Sequence, residues 1–295
     1  MNKIIDGKKL AQKLKDILKI DIESIKNKFN LVPGLAVIQV GNVAASSVYV
    51  KAKTKAAKEV GIRVFDYHLK DNIEQKDLLD LINQLNKNNE VDGILVQLPL
   101  PKSLNEQEVL DSISSEKDAD GFHPINVGKL SISQKNDENL LIPCTPYGCL
   151  LMLKELNINL TGKNAVVIGR SNIVGKPMAQ LLLKESCTVT IVHSKTVNIK
   201  KICRDADILV AAIGKPEFVN KDWVKDGVIV IDVGINRVQL NEDKYKLVGD
   251  VLYNEVEKKA SAISPVPGGV GPMTIACLLR NTTISCKTKL LVNGK

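Results

Sequence analysis

The chain is 295 residues long, 44% hydrophobic but only 3% aromatic, with a formal net charge of +8 and an isoelectric point of about 9.0. That length suggests about two domains, and cores built from Ile, Leu, Val and Ala favour α/β layers around parallel strands, which read as aliphatic runs. No apolar run approaches the ~18 residues of a membrane span, and dispersed lysines without an aromatic-rich basic segment argue against nucleic acid, leaving a small polyanionic ligand or simply a lysine-rich proteome.

Six cysteines, Cys144, Cys149, Cys187, Cys203, Cys277 and Cys286, form no Cys-x-x-Cys pair and mostly sit among aliphatic residues. The expectation is buried reduced thiols in a cytoplasmic protein without a metal site. The start, MNKIIDGKKLAQKLK, has no apolar signal core. It is basic and amphipathic, but Asp6, Asp16 and Asp21 argue against a transit peptide.

In chain order, a helical pattern runs over residues 7–28, and GLAVIQVG (34–41) predicts a buried strand. A helix over 46–60 follows, with a Ser N-cap candidate and Gly61 at its end. IRVFDYHL (62–69), a helix near 73–88 and the strand GILVQLPLP (93–101) continue the alternation, which predicts a parallel sheet with helices on its faces. Residues 103–143 are less regular, with a polar segment at 131–139. TPYGCLLMLKELN (145–157) reads as a connecting helix. A second βα series follows: NAVVIG (164–169), a helix to about 184, TVTIVH (188–193), ADILVAAIG (206–214) and GVIVIDVG (227–234). An apolar helix over 273–285 comes after a Pro/Gly loop. The expected architecture is α/β with two domains, one over 1–144 and a Rossmann-like one over 145–272. The C-terminal helix, 273–295, is expected to return to the first.

VVIGRSNIVGKPM (166–178) resembles a phosphate loop but fits neither familiar template. A Walker A loop has four residues between its glycines and Ser or Thr after the Lys. Here Gly169 and Gly175 enclose five, and Pro177 follows Lys176. The dinucleotide fingerprint Gly-x-Gly-x-x-Gly has Ser171 in its second glycine position. The context nonetheless suits a dinucleotide: a strand, a turn, then a helix opened by Pro177, whose missing N–H costs nothing in a first turn. The N-terminus of that helix would offer free N–H groups and partial positive charge to phosphates. An ordinary βα turn fits the glycines equally well. The next strand tips the balance. NAD enzymes place Asp or Glu about 20 residues on, to hold the ribose 2′-hydroxyl. This strand ends VHSKT (192–196), with Ser194 and Lys195 and no carboxylate, and Arg170 directly follows Gly169. A hydroxyl plus cations suits a 2′-phosphate, which favours NADP. His193 taken alone reads as structural.

One lysine is out of place. On a helical wheel of about 100° per residue with Tyr49 at zero, Lys51, Lys55 and Lys58 cluster at roughly 180–240°, an ordinary solvated face. Lys53 falls near 40° by the same count, among Tyr49, Ala56, Ala57 and Val60. Two readings fit: the side chain snorkels to the edge, or the amine is partly desolvated. Desolvation lowers a lysine's pKa from ~10.4, which would let it exchange protons near neutrality.

Several motifs now stand in sequence: YVKAK (49–53), VQLPLP (96–101), KDADGFHPINVGKL (117–130) and PCTPYG (143–148). GRSNIVGKP (169–177), VHSKT, IDVGIN (231–236), GDV (249–251) and SPVPGGVGPMT (264–274) follow. Together they resemble the bifunctional methylenetetrahydrofolate dehydrogenase/cyclohydrolase family over nearly the whole chain. The resemblance implies two α/β domains with a cleft between them, a homodimer, and NADP. It implies oxidation of 5,10-methylenetetrahydrofolate to the methenyl cation, then hydrolysis to 10-formyltetrahydrofolate. Lys53 matches the family's catalytic lysine, Tyr49 the tyrosine stacked on folate, Gln97 the glutamine paired with the lysine, and Asp120 the carboxylate holding the pterin. Pro267, Gly268 and Gly269 match its substrate loop. Gly169, Arg170, Ser171, Gly175, Ser194 and Ile235 match its cofactor contacts.

Taken singly, Asp118 or Asp120 could equally be a turn residue before Gly121, Gln97 a polar strand end, and VPGGVGP a rigid turn. Ser264 stands where the family more often has Thr. Neither it nor Asn172 belongs to the acid–base set, so both activities are expected. NADP and a polyglutamylated folate are both polyanions, which suits the charge of +8. The rival readings are a dehydrogenase without the hydrolytic step, which retention of Tyr49, Lys53 and Gln97 opposes, and a non-catalytic nucleotide or nucleic-acid binder.

Overall fold

The computed structural model describes residues 3–133, 137, 139–241, 244–292 and 294. Of the polar segment 131–139, residues 134–136 and 138 lie outside the described residues, as do 293 and 295 of the C-terminal helix.

A two-residue strand, β1 (Lys3–Ile4), precedes helix α1 (Gly7–Phe29). Then come β2 (Gly34–Val40), α2 (Ala44–Val60), β3 (Arg63–Leu69), α3 (Gln75–Lys87), β4 (Gly93–Val96), α4 (Glu106–Ser112) and α5 (Pro124–Ile132). β2 and β4 are buried along their whole length, as aliphatic runs covered on both faces must be. With β3 they form a parallel sheet in the order β3-β2-β4, packed on Leu78 and Ile82 of α3 and Val109 of α4.

Two boundaries differ from the sequence reading. α2 starts before Ser46, at Ala44, with Val43 as an N-cap that makes no side-chain bond. Its end is as the sequence reads it: Gly61 is left-handed, φ 95°, and its N–H meets the last-turn carbonyls of Ala57 and Lys58. β4 stops at Val96 rather than Pro101, after a last ladder bond from Gln97 N–H to Ile38 O. Pro99 and Pro101 have no N–H with which to continue the ladder to β2. The irregular stretch hides α4 and α5. Their signals are Asn105, whose side chain accepts from Glu108 N–H, and Pro124 at the first turn of α5.

The chain continues through α6 (Cys144–Lys154), β5 (Asn164–Ile168), α7 (Gly175–Lys184), β6 (Thr188–Val192), α8 (Ile199–Arg204), β7 (Ile208–Ala211) and a 3₁₀ turn at Lys221–Trp223. β8 (Ile229–Asp232), an antiparallel hairpin of β9 (Asn236–Asn241) and β10 (Lys244–Val248), α9 (Tyr253–Val256), β11 (Ala262–Ile263) and α10 (Val270–Val292) complete it. A six-stranded parallel sheet has the order β1-β11-β8-β7-β5-β6. Its core includes Val166, Ile168, Leu209, Val230 and Trp223. β5 has β6 on one side and β7 on the other, so the order reverses there. In open α/β sheets ligands bind outside the carboxyl ends of strands at such a reversal.

Two compact units result: Gln12–Cys144 with Ile275–Lys295, and Met1–Ala11 with Thr145–Thr274. The first eleven residues belong with the second unit because β1 pairs with β11. A two-residue strand has no periodicity to reveal that in sequence. The six cysteines are buried and form no disulfide, and among the described residues no helix is long and apolar enough to cross a membrane.

α10 begins at Val270, three residues before the predicted start. It joins the first unit's core partly through Asn281, which is 0% exposed. Its Nδ2 donates to Ala119 O at 3.0 Å and Ile142 O at 2.8 Å. Asn281→Ala would orphan the buried carbonyl of Ile142 and leave that of Ala119 with only the Cys144 thiol, a cost of ~1–3 kcal/mol. We expect a lower denaturant midpoint with unchanged secondary structure. An unaltered midpoint would show that this anchor contributes nothing.

Candidate active site

In the first unit, α2 turns Lys53 inward while Lys51, Lys55 and Lys58 stay exposed. Lys53 is 7% exposed, beside the buried Ala56, Ala57 and Val60. Its Nζ donates to Gln97 Oε1 at 3.0 Å. Gln97 follows β4 directly and is held at two points: its N–H donates to Ile38 O at 2.9 Å, and its Nε2 to Leu98 O at 2.7 Å. With the Nε2 group so engaged, the carbonyl faces the amine, which offers only donors when charged. Tyr49 lies one turn before Lys53 on the same helix and is half-buried, and burial raises its phenol pKa.

Asp118 and Asp120, alternatives in the sequence, have different surroundings. Asp118 is 3% exposed. Its carboxylate accepts from the N–H groups of Gly121 at 3.0 Å, Phe122 at 3.1 Å and His123 at 2.8 Å, and from Asn126 Nδ2 at 2.9 Å. It is the turn residue. Asp120 accepts no side-chain hydrogen bond from any described residue, and its own backbone carbonyl accepts from Cys144 N–H. Its pKa is pushed up from 3.8 to about 6: burial raises it, Lys53 pulls it back, and the charge of Asp118 raises it again. The first unit therefore brings together an amine, an amide that orients it, and a carboxylate with open acceptor positions.

In the second unit, the chain turns sharply where β5 ends. Gly169 has φ +120°, and a Cβ there would lie 2.3 Å from Ala212 O. A Cβ on Gly175 would lie 2.3 Å from Gly169 O. Both glycines are thus required by close backbone approach. The expectation of free N–H groups at the start of α7 needs correction. Ser171 Oγ accepts from Val174 N–H at 3.2 Å and Gly175 N–H at 3.3 Å, and Ser171 O accepts from Lys176 N–H at 3.1 Å. Ser171, in the position of the fingerprint's second glycine, caps the helix instead. Among the described residues nothing accepts from the N–H groups of Arg170, Ser171, Asn172 and Ile173, so the open donors lie one turn earlier. Arg170 and Ser194 are exposed, and no hydrogen bond joins them. His193 is a turn residue: its N–H donates to Thr196 Oγ1 at 2.9 Å and its Nδ1 accepts from Lys195 N–H at 3.2 Å.

Ile235 is exposed beside Gly271. Pro267 is exposed and Gly268 has φ +105° with open space where a Cβ would stand. Gly269 is buried, and a Cβ on Gly7 would lie 1.9 Å from its carbonyl oxygen. Lys8 N–H donates to Gly268 O at 2.9 Å, so the start of α1 fixes this loop. A turn closed by two glycines, four open N–H groups and an exposed guanidinium at a strand-order reversal fit a dinucleotide's phosphates. Sequence reasoning offered Asp118 only as one of two possible turn residues before Gly121 and gave no role to Asp232 or Asp250. The last two are buried carboxylates next to or near glycines in IDVG and GDV, and that pattern was their signal.

Two family models match the chain. The tetrahydrofolate dehydrogenase/cyclohydrolase catalytic domain covers residues 5–120, and the NAD(P)-binding domain of the same name covers 143–290. The bifunctional protein FolD of Acetivibrio thermocellus is 55% identical over 285 residues, 97% of each chain. The crystal structure of the bifunctional FolD enzyme from Campylobacter jejuni superimposes with a TM-score of 0.93 at 50% identity, covering 98% of this chain and 100% of that one. The Trypanosoma brucei FolD structure, complexed with NADP cofactor and an inhibitor, gives 0.92 at 39% identity over 98% of both chains. The chain belongs to the tetrahydrofolate dehydrogenase/cyclohydrolase family.

Proposed function

We propose that this chain oxidises 5,10-methylenetetrahydrofolate to the 5,10-methenyl form with NADP and hydrolyses that product to 10-formyltetrahydrofolate. The observation that carries the reading is the buried Lys53 amine bonded to the carbonyl of Gln97. Membership of a family whose relatives are bifunctional supports it. The same reading includes a homodimer in the cytoplasm acting on polyglutamylated folates. Family likeness supports the dimer, six buried thiols the compartment, and the charge of +8 the anionic tail.

NADP, when bound, takes a hydride from the methylene carbon. No proton moves at that carbon, so the protein's part is alignment. Tyr49 stacks on the folate, and Asp120 accepts two N–H donors from the pterin edge. Pro267, Gly268 and Gly269 line the substrate. Gly169, Ser171 and Gly175 shape the dinucleotide loop, Arg170 and Ser194 take the 2′-phosphate, and Ile235 borders the cofactor. Hydration of the methenyl cation does need proton transfer. Water loses a proton as it attacks, the departing ring nitrogen gains one, and the hydroxyl proton leaves as the formyl C=O forms. One proton is released in sum. In its unprotonated form Lys53 takes the first proton and returns it to the nitrogen. Gln97 does not titrate. It aims the amine.

Lys53→Met keeps the stem and removes the amine. General acid–base catalysis is worth about 10²–10⁴-fold, so hydrolysis should fall by that order while dehydrogenation falls far less and the methenyl compound accumulates. Absorbance of that compound, with and without NADP, reads both. A parallel fall of the two activities, or surviving hydrolysis, sinks the proton role.

Asp120 gives a pH dependence. Its ligand-free carboxyl titrates at about 6, and only the ionised form accepts both pterin donors. Folate affinity should be flat above that pH and drop by roughly tenfold per unit well below it. Asp120→Asn should remove the acid limb. Folate affinity without such a limb in the parent protein would exclude Asp120 from the pterin site.

Arg170→Ala should weaken NADP by about tenfold or more, the worth of one charge-assisted phosphate contact, and leave NAD nearly unchanged. An equal loss for both would assign Arg170 to the pyrophosphate or to the fold.

A further inference from the structure

Asp250 is 0% exposed and takes no part in the chemistry above. Four donors converge on it. Its Oδ2 accepts from Ile213 N–H at 2.7 Å and Gly214 N–H at 3.0 Å, and its Oδ1 from Lys215 N–H at 2.9 Å and Asn236 Nδ2 at 2.9 Å. The first three form the loop leaving β7, and Asn236 opens the hairpin next to Ile235. The carboxylate is itself fixed from behind. Its own N–H donates to Asp232 Oδ1 at 2.8 Å. Asp232, 2% exposed, also accepts from Gly234 N–H and Val251 N–H, each at 3.0 Å. There is no slack: a Cβ on Gly234 would lie 2.3 Å from Asp250 Oδ1.

The β7 loop is the wall against which the phosphate loop turns. A Cβ on Gly169 would meet Ala212 O at 2.3 Å and Ile213 Cγ2 at 3.6 Å, and one on Gly175 would meet Gly169 O. Contact thus runs unbroken from Asp250 through Ile213 to Gly169 and Gly175. All of these residues lie in one unit.

We propose that Asp250 is a positioning residue for the dinucleotide: its carboxylate fixes the β7 loop that backs Gly169 and, through Asn236, the segment bearing Ile235. The inference rests on the reading of residues 169–175 as the dinucleotide loop. A carboxylate suits the position because it offers two acceptor oxygens to four donors. An amide offers one acceptor and one NH₂ group, so half of the donors would face a donor.

The test is Asp250→Asn, with NADP affinity measured by calorimetry in the absence of folate. Affinity should drop by about tenfold or more, while NADP-independent hydrolysis of methenyltetrahydrofolate, which depends on Lys53 and Gln97 of the other unit, changes by less than about twofold. Asn236→Ala leaves the carboxylate and removes one donor. It should weaken NADP by ~2–10-fold, and it carries the test alone if Asp250→Asn does not fold. Unchanged NADP affinity in these variants, with Arg170→Ala still weakening it, overturns the positioning role and spares the cofactor reading. Unchanged affinity in all three removes both. A parallel loss of NADP binding and hydrolysis makes Asp250 a general support of the fold and also overturns the proposal.

Discussion

A charge taken out of water must be met by donors, or it destabilises the fold by far more than one side chain's packing returns. Three times in this chain a buried aspartate meets that demand with the backbone N–H groups of a loop. Asp118 gathers residues 121–123, Asp250 gathers 213–215, and Asp232 gathers Gly234, Asp250 and Val251. The first follows Asp120 directly, the second backs Gly169, and Gly234 precedes Ile235. Loops are ordinarily the least determined part of an α/β fold. Here they are pinned by groups that cannot leave without stranding several donors at once.

The first unit shows how division of labour arises between chemically identical side chains. Asp118 and Asp120 are two residues apart in one turn. Asp118 spends its acceptor positions on the chain itself, and Asp120 is left with its own open to a ligand. The lysines of α2 divide similarly. Three lie on the solvated face, and the one on the apolar stripe meets Gln97, placed where β4 runs out of ladder partners.

Helical periodicity made Lys53 legible because its signal, one charge among apolar positions at a fixed angle, is local. Gly61 and the aliphatic strands were legible for the same reason. The end of β4 was misread because apolar composition continues through LeuProLeuPro while hydrogen-bonding capacity does not. β1 is two residues long and exists only through pairing with β11 across some 260 residues of chain, which no window can register. Ser171 was placed correctly in the loop, but its capping of α7 depends on a rotamer. The roles of Asp118 and Asp250 depend on donors brought together by the completed fold. Composition bounded the architecture and motif order carried the family resemblance. The hydrogen-bond accounting at the strand ends needed coordinates.

Asp232 has a thermodynamic consequence of its own. Burial lifts its carboxyl from the ordinary 3.8 to about 7, against the pull of the N–H groups of Asp250 and Val251. The folded chain therefore holds a proton there that the unfolded chain gives up, over the whole interval between those two values. By linkage, the stability tied to this proton is complete below about 3.8 and is lost as pH rises through about 7. Each unit of such displacement corresponds to roughly 1.4 kcal/mol. The strut beneath the nucleotide face thus grows costlier to maintain as pH climbs from about 3.8 to about 7, and the cost is constant above that. The folding of the second unit's loops is thereby coupled to proton activity through a carboxyl group.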